Sequence, residues 1–398
     1  MGLESRFCGS LAGMLIGNSL GMPVQWISNI DDIHRQYGWV DHFFAPAANH
    51  CNANLEKGQV TAAGEFGWLL GRSIAEKGEF SAEAFTAKLK EFFTPETSSR
   101  YSFTNILKET LKKMGLEHLP ANSQKEPKQK EVISWSAPVA LRYWKNEKEL
   151  FAKTDALARL STDKDDVIEA TNLIGLLLAK LLAGRKADEA FDSVAKNPYF
   201  SKLLKGKLST IKPKLKNNTV QTIREYGIEG EPDMIIPAAI YTFIKYKDDF
   251  ENALEYAVNT GGESSGRGAI VGSLSGALLG VESIPQRWRL GLLRFEETLE
   301  LARRIYQASG PPPPPEPQRY FRLELKEQKE QKEPKEPRQP REKNRPAGKT
   351  DVPPATASEP AERRPAPEAP AADRQTNQAL GNKGEQEEEK NNRPEKRD

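Results

Sequence analysis

Residues 260–280 read TGGESSGRGAIVGSLSGALLG. The stretch is crowded with glycine, serine and alanine, and it holds one carboxylate, Glu263, and one cation, Arg267. Glycines packed this densely mark backbone that passes close to something, either a ligand or another segment of the chain. A second stretch rich in small residues stands near the N-terminus. SRFCGSLAGMLIGNSLG (residues 5–21) places Phe7, Leu11, Met14 and Ile16 at three- and four-residue steps, with Gly9, Ala12, Gly13 and Gly17 between them. Such small residues let a second helix approach closely.

Helical periodicity continues between these two stretches. GEFGWLLGRSIAEKG (64–78), a segment opened by Ser81, and SFTNILKETLKKMG ending at Gly115 read as helices with plausible caps and stops. WSAPVALRYW, KELFAKTDALARLS, KDDVIEATNLIGLLLAKLLAG, NNTVQTIREYG, MIIPAAIYTFIKY and DFENALEYAVN read likewise, and strand-like alternation is nearly absent. HLPANSQKEPKQKE (118–131) reads as a polar loop.

Only 37% of the 398 residues are apolar and 29% are charged. The reason is a change of composition near residue 310. Beyond it the chain is mostly Pro, Glu, Lys, Arg, Gln and Asn, with Tyr320 and Phe321 its only aromatics. A segment of this kind buries too little apolar surface to offset its conformational entropy, so residues 309–398 are expected to be a disordered tail. PPPPPEP (311–317) would form polyproline II there, and the tail could recruit an unidentified protein.

The net charge of +2 gives no global field that argues for nucleic acid. The runs 173–184 and 269–281 are shorter than the roughly 20 residues a bilayer needs, so no membrane partner is expected. Two cysteines, Cys8 and Cys51, without a CxxC, and an N-terminus without a basic leader point to the cytoplasm. The histidines His34, His42, His50 and His118 fall at no metal-ligand spacing.

Three segments together resemble the ADP-ribosylglycohydrolase family, the group that includes the dinitrogenase-reductase-activating glycohydrolase. GNSLGMPVQ (17–25) is similar to the family's Gly-Asp-Ala-Leu-Gly-x-Pro-x-Glu. TAAGEF (61–66) stands where the family has Thr-Asp-Asp-Thr. NTGGESSGRG, followed by an apolar helix and PQRW (285–288), stands where it has Gly-Gly-Asp-x-Asp-Thr and Pro-x-x-Trp. The resemblance implies an all-α, compact ADP-ribosylglycohydrolase-like helical domain over residues 1–308.

In the family these motifs hold two magnesium or manganese ions, and hard cations of this kind want about six oxygen ligands, carboxylates prominent among them. Carried over position by position, Thr61 is kept, Ala62 and Ala63 replace two aspartates, and Glu263 and Ser265 replace two more. Asn18 and Gln25 replace acids of the first motif, and Asp163 replaces a usual histidine. A methyl cannot coordinate a cation, and an amide cannot act as a general base at neutral pH.

No metal cofactor is therefore expected at Thr61, Ala62, Ala63, Glu263 and Ser265. The expectation is a catalytically inactive member that acts in ADP-ribose or nucleotide binding or in scaffolding, its partner an ADP-ribose-like ligand or an ADP-ribosylated protein. The alternative is an active ADP-ribosyl hydrolase with an atypical site, with Glu65 and Glu263 as remnant catalytic acids. The ligand-binding candidates are Asn18, Gln25, Thr61, Gly262, Ser265 and Arg267. Arg267 would either hold a phosphate bidentately or cap a loop at the surface. Trp288 is expected to be structural, because Pro285 and Trp288 belong to the fold signature.

Overall fold

A computed structural model describes residues 2–116 and 131–310. The polar loop and the tail expected from the sequence lie outside these residues, apart from Glu131, Ser309 and Gly310. Among the described residues the chain forms α-helices and short three-ten turns and no strand. Seven helices carry the core and the site: α1 (Leu3–Gly21), α2 (Ala62–Lys77), α3 (Asp165–Leu182), α4 (Lys202–Ser209), α5 (Phe250–Val258), α6 (Ser264–Leu279) and α7 (Phe295–Ser309). The last of these ends one residue past the expected boundary at 308.

The small residues of 260–280 meet the small residues of 5–21. Helices α1 and α6 run antiparallel, with Gly9 against Gly276, Gly13 against Gly272, Gly17 against Gly268 and Gly21 against Ser264. A Cβ added to Gly13 would stand 2.1 Å from the carbonyl oxygen of Gly272, and one added to Gly272 would stand 2.0 Å from that of Gly13. The obstacle in each case is backbone, which no side-chain rotation can move. Glycine at four-residue steps therefore sets the distance between the two central helices. Leu254 of α5 fills the groove beside them, within reach of both Gly17 and Gly272.

The remaining faces of α1 bury Phe7, Leu11, Met14 and Ile16, each at most 1% exposed. Each such side chain contributes about 1.5–3 kcal/mol relative to leaving it in water. Within Leu3–Val24 an 18-residue window has a mean hydropathy of 1.3, long and apolar enough to cross a bilayer, a property missed in the sequence. That apolar window is wholly buried inside the helical core.

Local chemistry sets the helix ends. Ser81 caps the next helix by accepting from the Ala84 N–H (3.2 Å). Gly78 stops α2 in the left-handed conformation, φ +77°, where a β-carbon would be strained. Trp288 is fully buried; it packs on Phe250 and its indole N–H donates to the Asp41 carbonyl (2.8 Å). Several helices go beyond those read from periodicity: Ile30–Tyr37, Ala187–Ala195, Lys202–Ser209 and Gln286–Gly291. They are short, at most nine residues, so few apolar positions repeat.

Candidate active site

The N-termini of α2 and α6 and the loop that follows α1 converge on one cleft. It is lined by Gln25, Trp26, Asn52, Thr61, Ala62, Ala63, Ser102, Glu131, Glu263 and Ser265, and its empty space, open mouth included, is about 280 Å³. Chain topology brings the three motif segments together at the end of the glycine seam, where Gly21 abuts Ser264 and Ser265.

Backbone pairing stitches the loop after α1 to the loop before α6. The Trp26 N–H donates to the Gly262 carbonyl (2.8 Å), the Gly262 N–H to the Ile27 carbonyl (3.0 Å) and the Glu263 N–H to the Ile228 carbonyl (2.7 Å). Gly262 holds φ +70°, and a β-carbon there would lie 2.1 Å from the Ile228 oxygen. Gly262 thus shapes the loop and does not line the cleft. Trp26 itself has φ +64°, unusual for a bulky residue and a cost that the surrounding bonds must offset.

Glu263 is the N-cap of α6, and both oxygens of its carboxylate accept hydrogen bonds, three in all. Oε1 accepts from the Gln25 amide (2.8 Å) and from the Gly266 N–H (3.2 Å), and Oε2 accepts from the Trp26 indole (3.1 Å). The Gln25 carbonyl oxygen in turn accepts from the Ser265 N–H and hydroxyl, both at 2.8 Å. Burial pushes the Glu263 carboxyl above its usual range, opposed by the bonds from Gln25, Trp26 and Gly266 and by the Arg267 charge.

Thr61 is the matching N-cap of α2. Its hydroxyl receives the Gly64 N–H at 3.4 Å, and Asn18 grips both its backbone N–H (2.9 Å) and its hydroxyl. Asn18 is buried behind Thr61 and is not among the cleft-lining residues. Ala62 and Ala63 present methyl groups to the cleft.

Arg267 does not reach the cleft. It is 1% exposed, and its guanidinium donates to the carbonyls of Ala257 (2.7 Å) and Gly261 (2.8 Å). Burial lowers its pKa to about 10, so it remains a cation that ties down the turn before α6. Both sequence readings of this residue are corrected: it is neither a surface arginine nor free to hold a phosphate. Asp163, at the position of the family histidine, is exposed and lines no part of the cleft.

Glu65 also lies outside the lining residues. Its Oε1 accepts from the Tyr101 hydroxyl (2.9 Å) and pairs with Arg294, while Oε2 has no hydrogen-bond partner. Burial raises the Glu65 pKa against the Arg294 charge. Arg294 adopts φ +64° and lies over the Trp68 ring, 4.3 Å from its centre.

Sequence reasoning missed Asn52, Ser102 and Glu131 as cleft residues. Glu131 accepts from the Thr104 hydroxyl (2.6 Å). His50, read as an ordinary loop residue, supports the site: its Nε2 meets the Gln25 carbonyl (2.8 Å), and its Nδ1 accepts from the Asn52 N–H (3.1 Å). That pattern fits the neutral ring, and burial lowers its pKa. These residues stand far from the motifs in sequence, and no local spacing links them.

The donor set does not fit a hard divalent cation. The cleft offers two methyls where paired carboxylates would be needed, and both oxygens of Glu263 already serve internal donors. Among the described residues no three His, Cys, Asp or Glu side chains are grouped to hold a metal ion.

The ADP-ribosylglycohydrolase family model matches residues 1–314. The chain is 26% identical over 308 residues to an uncharacterized protein of Archaeoglobus fulgidus, covering 77% of this chain and 97% of that protein. It is 24% identical to the ADP-ribosyl-[dinitrogen reductase] glycohydrolase of Rhodospirillum rubrum, covering 76% and 95%. It is 22% identical to the ADP-ribosylarginine hydrolase Tri1 of Serratia proteamaculans, covering 75% and 78%. A solved structure described as an ADP-ribosylglycohydrolase-related protein complex has the same fold, with a TM-score of 0.56 at 21% identity, over 77% of this chain and 99% of that one. With the family model matching residues 1–314, the whole helical part described, the chain belongs to the ADP-ribosylglycohydrolase family.

Proposed function

We propose that this chain is a non-hydrolysing member of the family that binds ADP-ribose or a related nucleotide, free or on a modified protein, in the cytoplasm and without a metal. The reading rests above all on Glu263, the surviving acid of the motifs: both its oxygens accept hydrogen bonds from within the protein. A general base needs a lone pair aimed at the proton it removes. The Trp26 ring and the polar groups of Asn52, Ser102 and Ser265 supply recognition around the cleft. The enclosed part of the cleft is small, so such a ligand would lie across its open mouth. Two unpaired cysteines suit a reducing compartment.

One observation favours the second reading, an active hydrolase with an atypical site. Glu131 brings a further carboxylate to the cleft wall. The test is release of ADP-ribose from ADP-ribosylarginine, by the natural chain and by a variant carrying Ala62→Asp, Ala63→Asp, Glu263→Asp and Ser265→Asp. The proposal expects no release by the natural chain, and binding of manganese only by the restored variant. Release by the natural chain that Glu131→Gln or Glu263→Gln removes would establish the second reading instead.

A further inference from the structure

Residues 193–224 contain seven lysines and Arg224 and no acidic residue, eight positive charges in a chain whose net charge is +2. The whole-chain charge conceals this local excess. The segment forms α4, a three-ten turn at Lys212–Lys214 and the start of the next helix. Neighbouring elements neutralise part of it: Asp233 pairs with Lys207, Asp192 with Lys212 and Glu225 with Lys214. Arg224 is spent on the Ser28 and Thr260 carbonyls, and Glu169 accepts from Ser201. Lys196, Lys202, Lys205 and Lys216 have no acidic partner among the described residues.

Helix α4 turns Leu204 and Leu208 into the core. Lys202 and Lys205 lie on its outer side, and between them in sequence stands Leu203, 72% exposed. Tyr199, just before the helix, is 49% exposed. Leu203 stands in water beside lysines that have no acidic partner among the described residues. It gains free energy where its side chain can leave water while the ammonium groups meet anions.

We infer that the α4 surface is a peripheral contact for an anionic lipid bilayer. Lys196, Lys202, Lys205 and Lys216 face the phosphate headgroups, and Leu203 enters the boundary of the acyl region. Charge complementarity alone would suit a nucleic acid equally. The exposed leucine decides for lipid, because a phosphate backbone offers it no apolar surface. The expectation of no membrane partner was drawn from spanning runs, which do not sense a surface contact.

The test is co-sedimentation of the full chain with vesicles of phosphatidylcholine alone or with about one-third phosphatidylserine. Binding is expected only to the anionic vesicles and is lost at high salt. Reversing Lys202, Lys205 and Lys216 to Glu lowers the affinity at least about a hundredfold, given about 1 kcal/mol for each lysine near such a surface. Leu203→Ser lowers it about fivefold and leaves the salt dependence in place. All four positions are exposed or half-exposed, so an unchanged circular dichroism spectrum verifies the fold. Equal binding to both vesicle types, or binding that charge reversal leaves intact, as a contact through the basic residues of the tail would give, overturns the assignment. So does tight binding of an oligoribonucleotide, unaffected by Leu203→Ser, with no vesicle binding.

Discussion

The glycine seam and the cleft are two ends of the same helix pair, and they differ in what they tolerate. Along the seam α1 and α6 meet backbone to backbone, and any β-carbon at Gly13 or Gly272 collides with a carbonyl. At the cleft end side chains join the backbone contacts: Gln25, Trp26 and Ser265 hydrogen-bond around Glu263, and Asn18 around Thr61. A packing contact made by the backbone has no substitute, whereas a charge removed from a cleft can be replaced by an amide or a hydroxyl that satisfies its neighbours.

The sharpest way to test the first half of the comparison is Gly272→Ala. The clash with the Gly13 carbonyl forces the two central helices apart, at a cost of about 3 kcal/mol or more. Urea denaturation would show it as a lowered midpoint or an insoluble chain. A variant as stable as the natural protein would mean that the seam is not rigid.

Arg294→Met probes the neighbouring buried pair. It leaves the Glu65 carboxylate without its cation, next to an oxygen that already lacks a partner. The expected loss is about 2 kcal/mol, and Glu65→Gln in the same chain should restore part of it. A double-mutant cycle measures that coupling directly.

Glu263→Gln has a smaller effect and a distinctive pH dependence. An amide at this cap cannot accept from Gln25, Trp26 and Gly266 together, so one donor loses its partner, at about 1–2 kcal/mol. The folded-state pKa of Glu263 is raised above the unfolded value of about 4.3. The native state therefore holds that proton more tightly, and the natural chain loses this contribution as pH rises through the raised pKa. The penalty of Glu263→Gln should narrow over that interval, as followed by denaturation midpoints from pH 4 to 8. A penalty that widens with pH would mean that the ionised carboxylate is the favoured form.

The helical class and the close approach of something to each glycine-rich stretch were legible in the sequence, because 3.6-residue periodicity and small-residue spacing are local properties; that the two stretches meet each other is set by the tertiary fold. Ser81 was likewise readable as a cap preceding an apolar run, whereas Thr61 was singled out by its motif and its capping role comes from the structure. Arg267 was misread because a cation beside glycines looks like a ligand group. What decides its role is the path of the carbonyls at Ala257 and Gly261, which local spacing does not show. Glu131, Asn52 and Ser102 reach the cleft through the tertiary path of their loops. Only the cap pattern of Thr104 ahead of an apolar run gave a local signal near one of them.

The central claim is recognition without a metal. It is tested most directly by calorimetric titration of the full chain with ADP-ribose, once in magnesium and once in EDTA. The account predicts the same affinity in both buffers. Binding that appears only in magnesium would contradict it and would require cation ligands in the cleft beyond those identified around Glu263.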